Sequence, residues 1–343
     1  MPSPPFSPPE SILVHVGLDL VGDGLLKLPF VNGLRLAFPE ARITWLAGTG
    51  PTVFDGALKA QVEGKIDEVI QTTGLTKSWK RILGHPLRGT AGAGRSWDLV
   101  IDTQTSTRPA LILWRVPHRL YLSSALSYRL CFERPPAEYH RPAHMTRRLL
   151  DLLWLATGKT RTFPMAYDLI PAPGDREEAA RLLPNDGTET APWVALCPGA
   201  GGRWKCWPLE CFIGLARQLT DRGARPVFLL GPDETEWREP LAKALSPARF
   251  PLQEAGWGSL TLSAAVMGQC AAVVCNDAGV GHIAAGSGAP LISLFGPTAP
   301  EKFAPCTDKG TILRAQDWGG PEMERIPVEA VVEAVWAALP SPL

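Results

Sequence analysis

The chain has 343 residues, 45% of them hydrophobic and 20% charged; at about 100 to 200 residues per domain this length predicts two domains, and the composition excludes a disordered or fibrous chain. Lys+Arg and Asp+Glu balance at 34 each, which removes the strongly basic signature of a general nucleic-acid binder. The charge is unevenly spread: residues 1–172 carry 20 Lys+Arg against 14 Asp+Glu, and 173–343 carry 14 against 20.

The first ten residues, MPSPPFSPPE, hold five prolines and no basic residue, which predicts a disordered or polyproline II tail over 1–11 and no secretory signal. No apolar run reaches the ~18 residues of a membrane span. ILVHV (12–16) and a helical pattern over 24–38 read as strand, loop and helix. RITWL (42–46), a helix near 52–60, EVI (68–70), WDLVID (97–102) and an apolar helix after Arg108 repeat the unit. A long helix is expected over 142–157, stopped by Gly158. Residues 159–191, rich in Pro, Gly, Thr and charge, read as a connection holding one short helix.

The second half repeats this grammar. WVALCP (193–198) leads to a helix over 208–220 with Pro at its start and Gly223 past its end, then to PVFLLG (226–231). Helices near 234–245 and 260–267, AVVCN (272–276), a small-residue helix from Gly279 and PLISLFG (290–296) follow. A last helix over 327–339 suits either domain. Strands alternating with helices imply right-handed crossovers and parallel sheets. The fold class is therefore α/β: two Rossmann-like, doubly wound domains facing a crevice. The expected boundaries are 12–160, a linker over 161–191, 192–325, and a terminal helix over 326–343.

The seven cysteines, with no C-x-x-C pair, fit neither a disulfide framework nor a common zinc site and point to a reducing compartment. Cys206 and Cys211, like Cys270 and Cys275, are spaced C-x4-C, and are read as buried small hydrophobes; Cys206, beside Lys205, is also a candidate reactive thiol.

Open parallel sheets bind ligands at the carboxyl ends of their strands. Four such junctions carry unusual residues. In CPGAGGRWKCWP (197–208), Gly199, Ala200, Gly201 and Gly202 let backbone N–H groups point at an anion, and Lys205 adds a mobile positive charge, which together describe a diphosphate cradle. In NDAGVGHIAAGSGAP (276–290), Asp277 is either a helix cap or a ligand, and Ala284, Ala285 and Gly286 keep the helix slim enough for a ligand or the facing domain to come close. In GPTAP (296–300), Thr298 has a hydroxyl to donate to phosphate. In GDGLLKLP (22–29), Asp23 sits just before a helix, where a carboxylate serves as a cap or, facing the crevice, takes a proton from a hydroxyl.

GDGLLKLP, WDLVIDTQ, PGAGGRWKCWP, DAGVGH and FGPT, in that order over residues 12 to about 300, together resemble glycosyltransferase family 9, the ADP-heptose:lipopolysaccharide heptosyltransferases. The resemblance implies a GT-B architecture, an ADP-sugar bound mainly by the C-terminal domain, an acceptor bound by the N-terminal one, and metal-independent transfer with inversion. It implies Asp23 as catalytic base and Lys205 as the lysine holding the donor diphosphate. Asp277, Gly279 and His282 match the D-x-G-x-x-H segment near the donor sugar and phosphates, and Thr298 matches the G-P-T turn. Ala278 stands where the family often has Thr, so any phosphate contact there is left to backbone. His15 stands where a Lys or Arg is usual, and reads as a buried core histidine.

Between Arg108 and Arg161 there are ten Lys+Arg against three acids, a basic region suited to the phosphate-rich lipopolysaccharide core. Arg108 and His144 are the candidate acceptor contacts. Trp114, Trp154, Tyr121 and Tyr128 are read as core or surface filler and not as lipid anchors. The expected partners are a nucleotide-sugar co-substrate, the anionic acceptor and, by peripheral contact, the inner leaflet of the membrane, with no cofactor, metal or nucleic acid, in the cytoplasm. The competing readings are another nucleotide-sugar enzyme of this architecture, using a different donor or acting as an epimerase, and a non-catalytic sugar-nucleotide-binding module.

Overall fold

The computed structural model describes residues 7–72, 74, 75, 86–184 and 191–339. The start of the proline-rich tail (1–6) and residues 185–190 of the expected connection lie outside the described residues. The chain divides into two compact units, Met1–Met165 and Ala166–Leu343.

The first unit is built on a five-stranded parallel sheet: β1 (Ser11–Val16), β2 (Arg42–Ala47), β3 (Glu68–Gln71), β4 (Trp97–Asp102) and β5 (His118–Ser123) in the order β3-β2-β1-β4-β5. The strand order reverses between β1 and β4. There His15 and Asp102 are register partners, and His15 Nδ1 lies 2.7 Å from Asp102 Oδ1 with both side chains fully buried. The histidine is a core residue, as its place in an apolar strand implies.

Two expectations fail here. The first helix spans Val21–Ala37 and begins three residues earlier than the apolar pattern suggested, so Asp23 lies in its first turn and not before it. The helix expected near 52–60 is two 3-10 turns, Val53–Asp55 and Lys59–Gln61. Thr52 Oγ1 accepts the Phe54 N–H at 3.3 Å and starts a turn, and Gly56, at ψ −118°, leaves the helical region and ends it. Helices form at Thr107–Trp114, which takes in Arg108 instead of following it, and at Met145–Ala156, three residues later than the expected start at 142, with Gly158 at φ 64° closing the second.

The second unit carries β6 (Trp193–Cys197), β7 (Arg225–Phe228), β8 (Ala272–Asn276), β9 (Leu291–Phe295) and β10 (Gly310–Arg314), all parallel, in the order β10-β9-β8-β6-β7. The two-residue period of a strand builds two cores at once. Val194, Leu196, Ala272, Val274, Ile292 and Leu294 face one layer, with Phe212 and Leu215 of the helix Leu209–Asp221. Ala195, Cys197, Val273, Cys275 and Leu291 face the other, with Val266 and Ala284. Both faces being covered explains the continuous apolar runs of WVALC and AVVCN. The final helix, Val328–Ala338, packs Val331, Val332 and Val335 into the first of these cores and so belongs to this unit. The region expected as a helix over 234–245 begins as a 3-10 segment, Pro232–Trp237, before the α-helix Arg238–Ala244.

Candidate functional site

The order β9-β8-β6 places the loops after three neighbouring strands side by side at their carboxyl ends. Their polar residues converge on one atom. Lys205 Nζ donates to Asp277 Oδ2 at 2.8 Å, and Thr298 Oγ1 donates to the same oxygen at 2.7 Å. The Lys205 and Asp277 side chains are only 25% and 13% exposed, so this charge-assisted pair is shielded from solvent more than a surface salt bridge. Asp277 is therefore not the cap of the following helix. That position belongs to Ala278, and no side chain caps it. The Thr298 proton, expected on phosphate, is given to Asp277, and the lysine keeps two N–H donors for an anion.

Asn276 holds the glycine-rich loop in place. Its Oδ1 accepts the Trp207 N–H at 3.0 Å and its Nδ2 donates to the Pro198 carbonyl at 2.7 Å, so one buried amide clamps both ends of the 198–207 segment. Trp207, 1% exposed, donates from Nε1 to the Ile326 carbonyl at 3.0 Å. Arg203 lies over the Trp237 ring, 4.1 Å from its centroid, and pairs with Glu236. Glu234 Oε2 accepts the Gly231 N–H at 2.8 Å, and burial pushes its carboxyl above the ordinary carboxylate range. A Cβ on Gly199 would come within 2.5 Å of that carboxyl, so glycine there makes room for Glu234. Asn276 and Glu234 were not singled out from sequence. The only signal for Asn276 is a polar residue closing the apolar run AVVCN.

Small residues at two further positions serve packing. A Cβ on Gly286 would lie 2.6 Å from Leu169 Cγ and 2.8 Å from Tyr167, so the space expected for a ligand beside the helix Gly279–Ala285 is taken at that point by this unit's own chain. Tyr167 Oη donates to the carbonyl of His282 at 2.6 Å, and the His282 side chain is buried. A Cβ on Gly296 would meet the Pro321 carbonyl oxygen at 2.8 Å and Met323 Sδ at 2.4 Å. Gly296→Ala is thus expected to destabilise the fold by about 1 to 3 kcal/mol. A thermal melt checks this, and a Tm equal to the parent's would refute the clash.

Cys206, like Cys211, is part-buried and not the buried small hydrophobe expected of it. Burial pushes it above its ordinary value, against the opposing pull of Arg203. A raised thiol holds less thiolate at neutral pH. Iodoacetamide should accordingly modify Cys206 more slowly than a free cysteine at pH 7, with the rate climbing as the pH rises; faster modification would contradict it. Cys270 and Cys275 are buried and pushed up to about 12, as small core hydrophobes are. Among the described residues no three His, Cys, Asp or Glu side chains are grouped to hold a metal ion.

In the first unit Asp23 is half-buried in the first helical turn. Its Oδ2 accepts the Leu20 N–H at a long 3.4 Å. A second carboxylate nearby in sequence is committed: Asp19 accepts from Lys27, Thr52 Oγ1 and Trp45 Nε1. Arg108 stands in the first turn of Thr107–Trp114, and its buried Nε has no hydrogen-bond partner among the described residues. His144 occupies the position before the helix Met145–Ala156. Of the three acids in the basic region, Glu133 pairs with Lys159 at 2.6 Å and Asp151 with Arg147 at 3.4 Å. Tyr121 and Tyr128 are buried, Trp154 stacks on Tyr139, and Trp114 is exposed.

The family model of glycosyltransferase family 9 (heptosyltransferase) matches residues 91–331. The chain belongs to that family. It is 24% identical over 311 residues to lipopolysaccharide heptosyltransferase 2 of Escherichia coli K12, spanning 88% of this chain and 87% of that protein. Among solved structures, E. coli ADP-heptose LPS heptosyltransferase II superposes with a TM-score of 0.66 at 24% identity, over 96% of this chain and 98% of that one. E. coli heptosyltransferase WaaC with ADP gives 0.64 at 21%, over 96% and 99%. The family's GT-B architecture, two doubly wound parallel sheets, is the one this glycosyltransferase has. None of its described helices is long and apolar enough to cross a membrane.

Proposed function

We propose that this glycosyltransferase moves a heptose from ADP-heptose, with inversion, to the anionic core of lipopolysaccharide on the cytoplasmic side of the membrane, touching the inner leaflet peripherally. The observation that carries this reading is the meeting of Lys205, Asp277 and Thr298 from three loops on one carboxylate oxygen, in a chain of a heptosyltransferase family. Lys205 and the backbone N–H groups of residues 199–202 take the diphosphate. Ala278 and Gly279 offer only backbone to it, and His282 supports the same helix. Asp277, whose Oδ2 orients the lysine and Thr298, accepts a sugar hydroxyl.

Asp23 takes the proton of the acceptor hydroxyl. The acceptor oxygen attacks the anomeric carbon, the bond from that carbon to the phosphate oxygen breaks, and ADP leaves with the electron pair. Charge builds on the diphosphate as the bond breaks, and a preorganised ammonium lowers that barrier. The basic region over 108–161, with Arg108 and His144, attracts the phosphorylated acceptor. The nucleotide sugar is a co-substrate, and no other cofactor enters the step. The test is to incubate the protein with labelled ADP-heptose and heptose-deficient lipopolysaccharide. Label should pass to the lipid fraction with the anomeric configuration inverted. Label appearing as free sugar, or retained configuration, would sink the reading.

A further inference from the structure

Trp204 leaves 64% of its surface open, on a loop whose other parts are pinned by Asn276, Trp207 and Arg203. Exposure alone decides nothing, since single apolar side chains are ordinary on protein surfaces. Placement decides. Lys205 Nζ lies 5.4 Å from the centroid of the Trp204 ring while it donates to Asp277 at 2.8 Å. The indole therefore stands beside the ammonium that Asp277 holds.

Gly202 provides its seat. A Cβ there would come within 2.6 Å of the indole Nε1 and 3.0 Å of Cδ1. The φ of Gly202, −167°, is extended backbone open to any residue, so glycine supplies space and not conformation. The indole rests over that bare backbone, and Gly201 beside it has nothing within 4 Å of where its Cβ would be.

The pair itself marks a chemical boundary. An ammonium suits the phosphates of a nucleotide sugar, whereas a carboxylate repels phosphate and suits hydroxyl donors. A ring beside the lysine, whose ammonium is one hydrogen bond from the carboxylate, meets the donor where diphosphate gives way to sugar. The π-face of indole is electron-rich, and it attracts the weakly positive C–H face of a pyranose.

We propose that Trp204 is a stacking platform for the sugar ring of the nucleotide-sugar donor, and so a specificity-determining residue for the carbohydrate and not for the nucleotide. This rests on the donor reading given above. The experiment compares the parent with Trp204→Ala and Trp204→Phe, reading ADP affinity by calorimetry and KM for ADP-heptose by turnover. Trp204→Ala should raise the donor KM by about three- to tenfold, the range expected for one aromatic contact, with the ADP Kd unchanged. Trp204→Phe should recover most of that loss. Unchanged ADP binding also reports that the variant is folded.

An unchanged donor KM in Trp204→Ala, or an ADP affinity that falls as far as the donor KM rises, overturns the platform while leaving the donor reading standing. A loss confined to the acceptor KM overturns it too. A parent that neither binds ADP nor consumes ADP-heptose overturns the donor reading itself, and the platform with it.

Discussion

Replacing Asp23 with alanine or with asparagine is expected to lower kcat by about a hundredfold or more, the usual loss for a positioned base, with ADP affinity unchanged. The pair of substitutions matters because Asp23 has a second role within reach. Its carboxylate sits in the first turn of Val21–Ala37, where negative charge favours the helix dipole, and it accepts the Leu20 N–H at 3.4 Å. Asparagine keeps an acceptor for that N–H and loses only the charge and the basicity. If capping were the whole contribution, Asp23→Asn would be nearly as active as the parent and alanine would be the worse variant. If Asp23 is the base, both are equally impaired. Alanine's further cost is limited to a long, half-exposed hydrogen bond, so a melt close to the parent's is expected for it. Asp19 gives no rescue, because its carboxylate is committed to Lys27, Thr52 and Trp45.

Lys205→Ala is expected to weaken ADP binding and lower kcat together, the turnover loss being about a hundredfold. This split from Asp23 is diagnostic. On the proposed reading the lysine meets the diphosphate in the bound ground state and again as charge builds on it, whereas the base acts only in the transition state. Removing Lys205 also leaves the Asp277 carboxylate, 13% exposed, with Thr298 as its one remaining partner of the two described. The variant thus carries an unneutralised negative charge where the phosphates should bind, and calorimetry should read it as a weaker ADP Kd. An ADP affinity equal to the parent's would remove Lys205 from the diphosphate.

The parts of this fold that were legible in the sequence are those whose residues answer to one local cause. β6, β8 and β9 are covered on both faces and read as unbroken apolar runs. β5 and β10 were missed because neither carries a buried-strand pattern: His118 and Arg119 open the first, and the first three residues of the second are exposed. The turns at 53–61 were mistaken for a helix because the hydrophobic spacing ignores the Thr52 hydroxyl and Gly56. At the candidate site each loop was visible as a motif. That Lys205 and Thr298 would share one oxygen of Asp277 was not, since it follows from β8 lying between β6 and β9. Asn276 escaped for the same reason: its meaning lies in the Trp207 and Pro198 backbone that stands across from it.

The most direct test of the whole account is nucleotide release from a panel of ADP-heptose, GDP-sugars and UDP-sugars, each with and without truncated lipopolysaccharide. ADP released only from ADP-heptose, and only when the acceptor is present, is the predicted result. Release or rearrangement of the donor without acceptor, or no consumption of any donor with acceptor present, would contradict it.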